Sequence, residues 1–115
     1  MLRVHNQTRD VMLADRAGVA NTSKARRTGL LKHQSLEPGD GLWIAPCEAV
    51  HTFGMKFPID VLYLNKKRKV IKIRENMVRS RVSFCLRAHS VLELPAGTCA
   101  ATQTERGDQL IFERL

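Results

Sequence analysis

The chain has 115 residues, of which 43% are hydrophobic and 26% are charged, and its formal net charge is +8. This length is typical of one core, so we expect residues 1–115 to form a single domain. No apolar run approaches the ~18 residues of a membrane span, and residues 1–6 are too polar for a signal peptide, so we expect no membrane partner and a cytoplasmic location.

The N-terminal half predicts short strands and one helix. Residues 2–5 alternate apolar and polar side chains, the period of a half-buried strand, and residues 11–14 are predicted to return as its hairpin partner. A turn or an irregular strand end is expected at residues 15–18, after which the strand resumes. Asn21-Thr22-Ser23 offers N-cap oxygens, which predicts one short helix within residues 22–33.

The C-terminal half predicts more strands. Buried strands are expected at 42–45, 59–64 and 90–94, and the basic loop 65–69 predicts a hairpin from the second of these to a strand at 70–73. Residues 75–87 are ambiguous, residues 98–104 are weakly patterned, and a last strand is expected at 109–112. Many short strands with one helix predict a mainly β fold.

The segment from His51 to Leu64 passes from a polar loop through a proline into an apolar strand. It resembles the signature of a widespread prokaryotic family, domain of unknown function 192. Four further pieces match in order, so the resemblance covers nearly the whole chain: Gly29-Leu30-Leu31, Gly41-Leu42-Trp43-Ile44, Val91–Gly97 and Gly107-Asp108. It implies a single-domain β-sandwich or jelly-roll-like barrel with a short helix, and it implies no activity, because the family has none established.

A polar loop that leads into a buried strand is a common place for a binding site. If loop 51–58 folds over the open end of the sandwich, its polar groups would converge with Glu93 or Asp108 to form a pocket. We therefore predict a ligand-binding or accessory module for a small molecule or peptide. The alternative is a hydrogen-bond network of His51, Thr52 and Asp60 that fixes an irregular loop. The candidate ligand-binding residues are Trp43, His51, Thr52, Met55, Asp60 and Glu93.

A hydrolase-like or metal-dependent enzyme that uses His51 and Asp60 is a second hypothesis. A catalytic thiol would require Cys47 or Cys85 near the imidazole, and a metal would require three or four converging ligands. The spacing does not establish either geometry, so we predict no metal site, and no cofactor is indicated. Cys99 is the third cysteine of the chain. An odd number of cysteines without CxxC spacing argues against a disulfide framework.

Residues 66–87 carry nine Lys or Arg residues against Glu75 alone. Such a positive field favours anions, and nucleic acid is the third candidate partner. Phe84 is the one aromatic residue in this segment, so stacking is poorly supported and binding should be weak and sequence-blind. The alternative is a solvated hairpin that resists aggregation. The candidate anion-binding residues are those of the hairpin tip: Lys66, Lys67, Arg68 and Lys69.

Overall fold

The computed structural model describes residues 1–115, and it confirms the mainly β class. The strands are β1 (Leu2–Asn6), β2 (Val11–Ala20), β3 (Asp40–Ile44), β4 (Ala49–His51), β5 (Ile59–Leu64), β6 (Val70–Met77), β7 (Val82–Phe84), β8 (Ser90–Pro95) and β9 (Leu110–Arg114). The helices are α1 (Ser23–Thr28) and α2 (Thr98–Thr102). Neither helix is long and apolar enough to cross a membrane.

Seven strands form one sheet in the order β6-β5-β8-β3-β2-β1-β9, and β4 and β7 form a separate two-stranded ribbon. The large sheet curls into a half-barrel. Its two ends approach each other where Lys69 bridges Gln109. The Leu110 amide donates to the Arg68 carbonyl oxygen at 3.0 Å, and the Val70 amide donates to the Asp108 carbonyl oxygen at 2.9 Å. These bonds hold the start of β6 against the start of β9.

The inner core fills the concave side of the half-barrel and contains 12 buried residues. Leu62 and Leu64 of β5 lie beside Leu92 and Leu94 of β8 in this core. Alternate residues of a strand point to opposite sides of the sheet, so Ile59, Val61 and Tyr63 of β5 face outward.

The outer core lies on the convex side and contains eight buried residues. Val61 and Tyr63 of β5 pack there with Val50 of the ribbon and Leu30, which follows α1. The ribbon and α1 therefore cover the convex side of the sheet. All six residues of β5 are buried, which explains its apolar run from Val61 to Leu64.

Helix α1 lies inside the predicted range, and the β5–β6 hairpin has the predicted position. The Thr22 side chain accepts a hydrogen bond from the Ala25 amide at 3.1 Å, which is the expected N-cap contact. Gly29 ends the helix with a φ of 49°, a backbone conformation that glycine adopts at little cost.

Of the two expectations for residues 15–18, the turn was wrong, because β2 continues through this segment, while the pairing of β2 with β1 is irregular there. The amides of Asp15 and Arg16 both donate to the Gly39 carbonyl oxygen at 3.0 Å, where β2 passes from antiparallel pairing with β1 to parallel pairing with β3. Turn-forming residues are tolerated at this irregularity in the pairing. A second short helix, α2, occupies the weakly patterned segment near residue 100.

Candidate functional site

A cavity of about 80 Å³ lies between α1, the connection from β3 to β4, and the convex side of β8. Its walls are partly apolar, and the residues that bring charge or reactive groups to it are Arg26, Arg27, Cys47, His51 and Glu93. The connection turns sharply after β3, where the Ala45–Pro46 peptide bond is cis. The same turn brings Cys47 and His51 of the β3–β4 segment next to α1.

Glu93 is the buried acid of this cavity, with 5% of its surface exposed. It stands opposite Leu42 on β3 and Val61 on β5, which fixes its side chain on the convex side of the sheet. No hydrogen bond or ion pair reaches its carboxyl group, and burial raises its pKa to about 7. The carboxyl group has no protein partner and its remaining accessible surface lies at the cavity, so it is a candidate for function.

Cys47 lines the same cavity, but its thiol is not activated. Burial raises its pKa, and the thiol donates a hydrogen bond to the Ala49 carbonyl oxygen at 3.1 Å. A thiol with a raised pKa is mostly protonated at neutral pH, whereas the thiolate is the nucleophile. The cavity therefore does not activate the Cys47 thiol as a cysteine hydrolase would.

Two arginines of α1 lie at the mouth of the cavity, where it meets a wider cleft of about 590 Å³. Arg26 donates to the Asn21 carbonyl oxygen at 3.3 Å, and neither Arg26 nor Arg27 forms an ion pair with Glu93. Cys47 and His51 border both spaces. The site thus combines a buried acid with a basic entrance.

The structure brings three of the six predicted ligand-binding residues to this cavity, namely His51, Met55 and Glu93. Thr52 does not line it. The hydroxyl of Thr52 donates to the Val78 carbonyl oxygen at 2.6 Å and accepts from the Arg81 amide at 2.9 Å. Thr52 therefore ties its loop to the segment between β6 and β7.

Asp60 also lies away from His51, on the opposite side of β5 from the outer core. Its carboxylate accepts hydrogen bonds from the Asn76 amide at 2.8 Å and the Cys99 amide at 2.9 Å. It is fully buried, whereas His51 is exposed. The structure therefore does not unite His51 with Asp60 as the enzyme hypothesis requires, nor does it form one network from His51, Thr52 and Asp60.

Trp43 lies at the open edge of the inner core, on the other side of the sheet from the cavity. Its ring packs edge-on against Phe112 with centroids 5.1 Å apart, and the Arg68 guanidinium lies 4.6 Å from the Phe112 centroid. Its indole nitrogen is buried without a hydrogen-bond partner. Arg68 of the hairpin tip is thus partly engaged in closing the half-barrel.

Asp108 belongs to a third location. It accepts hydrogen bonds from Asn6 and Arg9, each at 3.0 Å, and from the Glu105 amide at 2.9 Å. Burial alone would raise the pKa of this carboxyl, but the bonds from Arg9 and Asn6 outweigh that effect and lower it. The network joins the β1–β2 turn to the approach to β9. No group of three or more His, Cys, Asp or Glu side chains is arranged for metal binding.

The model of the family described as uncharacterized ACR, domain of unknown function 192, matches residues 4–112. The chain belongs to this family. No curated protein matches it.

Two solved structures share the fold of this domain of unknown function 192 protein. Each has a TM-score of 0.83, and each match covers 96% of this protein's own chain. One is a protein of unknown function from Novosphingobium aromaticivorans DSM 12444, 20% identical and covered over 82% of its length. The other, from Sinorhizobium meliloti 1021, is described as a candidate transcription regulator, and is 22% identical and covered over 91%. At these identities the likeness shows the fold alone.

Sequence reasoning missed Arg26 and Arg27 as members of the site in this domain of unknown function 192 protein, and it considered Cys47 only as a catalytic thiol near His51. The sequence did contain a signal for such cations, namely the acid Glu93 within the apolar run Val91–Leu94. A buried acid is costly unless a cation or a ligand pairs with it. The helix that packs across that strand is then the place to search for cations.

Proposed function

We propose that this protein is a small-molecule-binding module whose site is the cavity between α1, the β3–β4 connection and β8. The observation that carries the proposal is Glu93, a buried carboxyl group that lines the cavity without a hydrogen bond or an ion pair. An unpaired buried acid costs free energy of folding, and a bound ligand would supply its missing partner.

The chemistry of Glu93 suggests which group would bind to it. Because its pKa is about 7, both the acid and the carboxylate form are populated at neutral pH. An ammonium group would favour the carboxylate through a charge-assisted hydrogen bond. The small volume of about 80 Å³ favours a compact head group over a large ring system.

The residues at the mouth of the cavity indicate the charge of the other end of the ligand. Arg26 and Arg27 border both the cavity and the wider cleft, so an anionic group that remains in the cleft would meet two guanidinium groups. A compact amine that carries a carboxylate or a phosphate therefore fits the site better than an apolar molecule or a simple cation.

Binding can be tested by thermal unfolding and isothermal titration with glycine, phosphoethanolamine, ethanolamine and inorganic phosphate. We expect a compound that carries both charges to stabilise the wild type most, by about 1.4 kcal/mol at tenfold excess over its Kd. Glu93→Gln should abolish the stabilisation by amines and leave the protein folded.

The matched control is Glu48→Gln, which removes an exposed acid from the β3–β4 connection. It should bind the same compounds as the wild type does. Absence of binding by all four probes, or equal binding by Glu93→Gln and the wild type, would contradict the proposal.

A further inference from the structure

An exposed apolar surface surrounds the β4–β7 ribbon, outside the cavity. Each side chain of this surface is large and hydrophobic, yet more than two-fifths exposed. The residues lie just after β4, just before β7, on β7 and just after β7. They are Phe53 (53%), Val78 (41%), Val82 (59%), Phe84 (58%) and Leu86 (74%). Contiguous exposed apolar groups mark interaction sites more often than isolated ones do.

The register of the ribbon places aromatic rings on its outward side. His51 pairs with Val82 and Ala49 pairs with Phe84, while Val50 between them points into the outer core. His51 and Phe84 are therefore diagonal neighbours on the outward side, at the separation of roughly 7–8 Å usual for such pairs. The Phe53 ring lies beside His51, with centroids 5.7 Å apart. We call this outward surface the ribbon face.

Lys72 contacts Phe84 and Arg81 directly precedes β7, so both bring positive charge to the ribbon. The Lys72 ammonium donates to the Phe84 carbonyl oxygen at 2.7 Å and lies 5.7 Å from the Phe84 ring centroid. Arg81 donates only to backbone carbonyl oxygens. Segment 72–87 holds five basic residues against one acid, and none of the five forms an ion pair with an acid: Lys72, Arg74, Arg79, Arg81 and Arg87.

We propose that the ribbon face binds single-stranded nucleic acid. Exposed rings on a strand surface provide platforms for unpaired bases, and unpaired arginines and lysines beside them neutralise the phosphates. This charge complementarity favours a polyanion over a second copy of the same basic chain. Because bases stack on rings that the hairpin tip lacks, the ribbon face contributes more to affinity than Lys66–Lys69 does.

The test is fluorescence anisotropy with labelled oligothymidylate and a duplex of the same length, across a salt series. Phe84→Ala and Phe53→Ala keep the net charge, and each should weaken binding to the single strand about tenfold. Binding should weaken steeply as salt rises, and the duplex should bind less tightly. Circular dichroism and melting curves verify that these exposed substitutions leave the fold intact.

The matched control is Leu86→Ala, which removes an even more exposed apolar side chain that cannot stack in the same way. It should bind within about twofold of the wild type. A second comparison replaces the four residues of Lys66–Lys69 by Ser, which should cost less affinity than the loss of both phenylalanines. Equal effects of Leu86→Ala and Phe84→Ala would overturn the proposal. So would binding to phosphatidylserine vesicles without binding to the oligonucleotide, which would point to a membrane surface.

Discussion

At the scale of single residues, burial of Glu93 makes the stability of the fold depend on pH. Its carboxyl group is buried beside an apolar sheet surface, and its pKa rises from 4.5 to about 7. The unfolded chain releases this proton near pH 4.5, whereas the folded chain retains it up to about pH 7. Protonated Glu93 therefore stabilises the fold fully below pH 4.5, and this contribution is lost as the pH rises through 7.

Between pH 4.5 and about pH 7, ionisation of Glu93 should lower the unfolding free energy of the wild type by roughly 3 kcal/mol. Glu93→Gln should lack that loss, because its amide does not ionise. Urea denaturation at a series of pH values measures the difference, with the exposed Glu75→Gln as control. Identical pH profiles for Glu93→Gln and the wild type would show that the carboxyl group is hydrated.

At the scale of elements, Asp60 joins three segments. It lies on β5 and accepts the amide of Cys99 in the first turn of α2 and the amide of Asn76 near the end of β6. Asn76 has a φ of 50°, which a non-glycine residue adopts only when its surroundings hold it. The carboxylate thus fixes α2 against the sheet and stabilises an unusual backbone conformation.

Asp60→Ala should lower the unfolding free energy by about 2–4 kcal/mol, because the buried Cys99 amide and the part-buried Asn76 amide lose their acceptor. His51→Ala should change it by less than about 0.5 kcal/mol, because the imidazole is exposed. Urea denaturation of both variants provides the measurement. Equal destabilisation by the two substitutions would restore the hypothesis of one shared network.

At the scale of the whole molecule, contacts of β9 with β3 and with the β5–β6 hairpin tip close the half-barrel. Phe112 of β9 packs on Trp43 of β3, and Arg68 of the hairpin tip lies over the Phe112 ring. The Gln109 side chain also donates to the Lys67 carbonyl oxygen at 2.6 Å. These contacts seal the side of the inner core that the sheet itself leaves open.

Phe112→Ala should lower the unfolding free energy by about 2 kcal/mol, less than a fully buried Phe→Ala change, because the ring is half-buried. The neighbouring Ile111→Ala, at a side chain that is 44% exposed, should cost less than half as much. Trp43 is the single tryptophan, so its fluorescence reports both the closure and the unfolding. A Phe112→Ala variant as stable as the wild type would show that the hydrogen bonds suffice for closure.

Local patterns in the sequence determined the mainly β class, the helix that begins after Thr22 and the hairpin from β5 to β6. Each of these depends on neighbours within a few residues: an N-cap oxygen, a period of two, or a basic turn between apolar strands. Glu93 and His51 were also recognised as candidate site residues, because a polar group next to an apolar run is visible in one dimension.

Tertiary structure alone decided which of the candidates meet. Strand register decides which side of the sheet each residue of β5 and β8 faces. Asp60 and Glu93 therefore point to opposite sides of one sheet, although each lies next to apolar residues in the sequence. The cavity exists because α1 and the β3–β4 connection cross the convex side, which is a contact between segments distant in the chain. The aromatic ribbon face likewise depends on the pairing of β4 with β7, and a one-residue shift in that register would bury its rings.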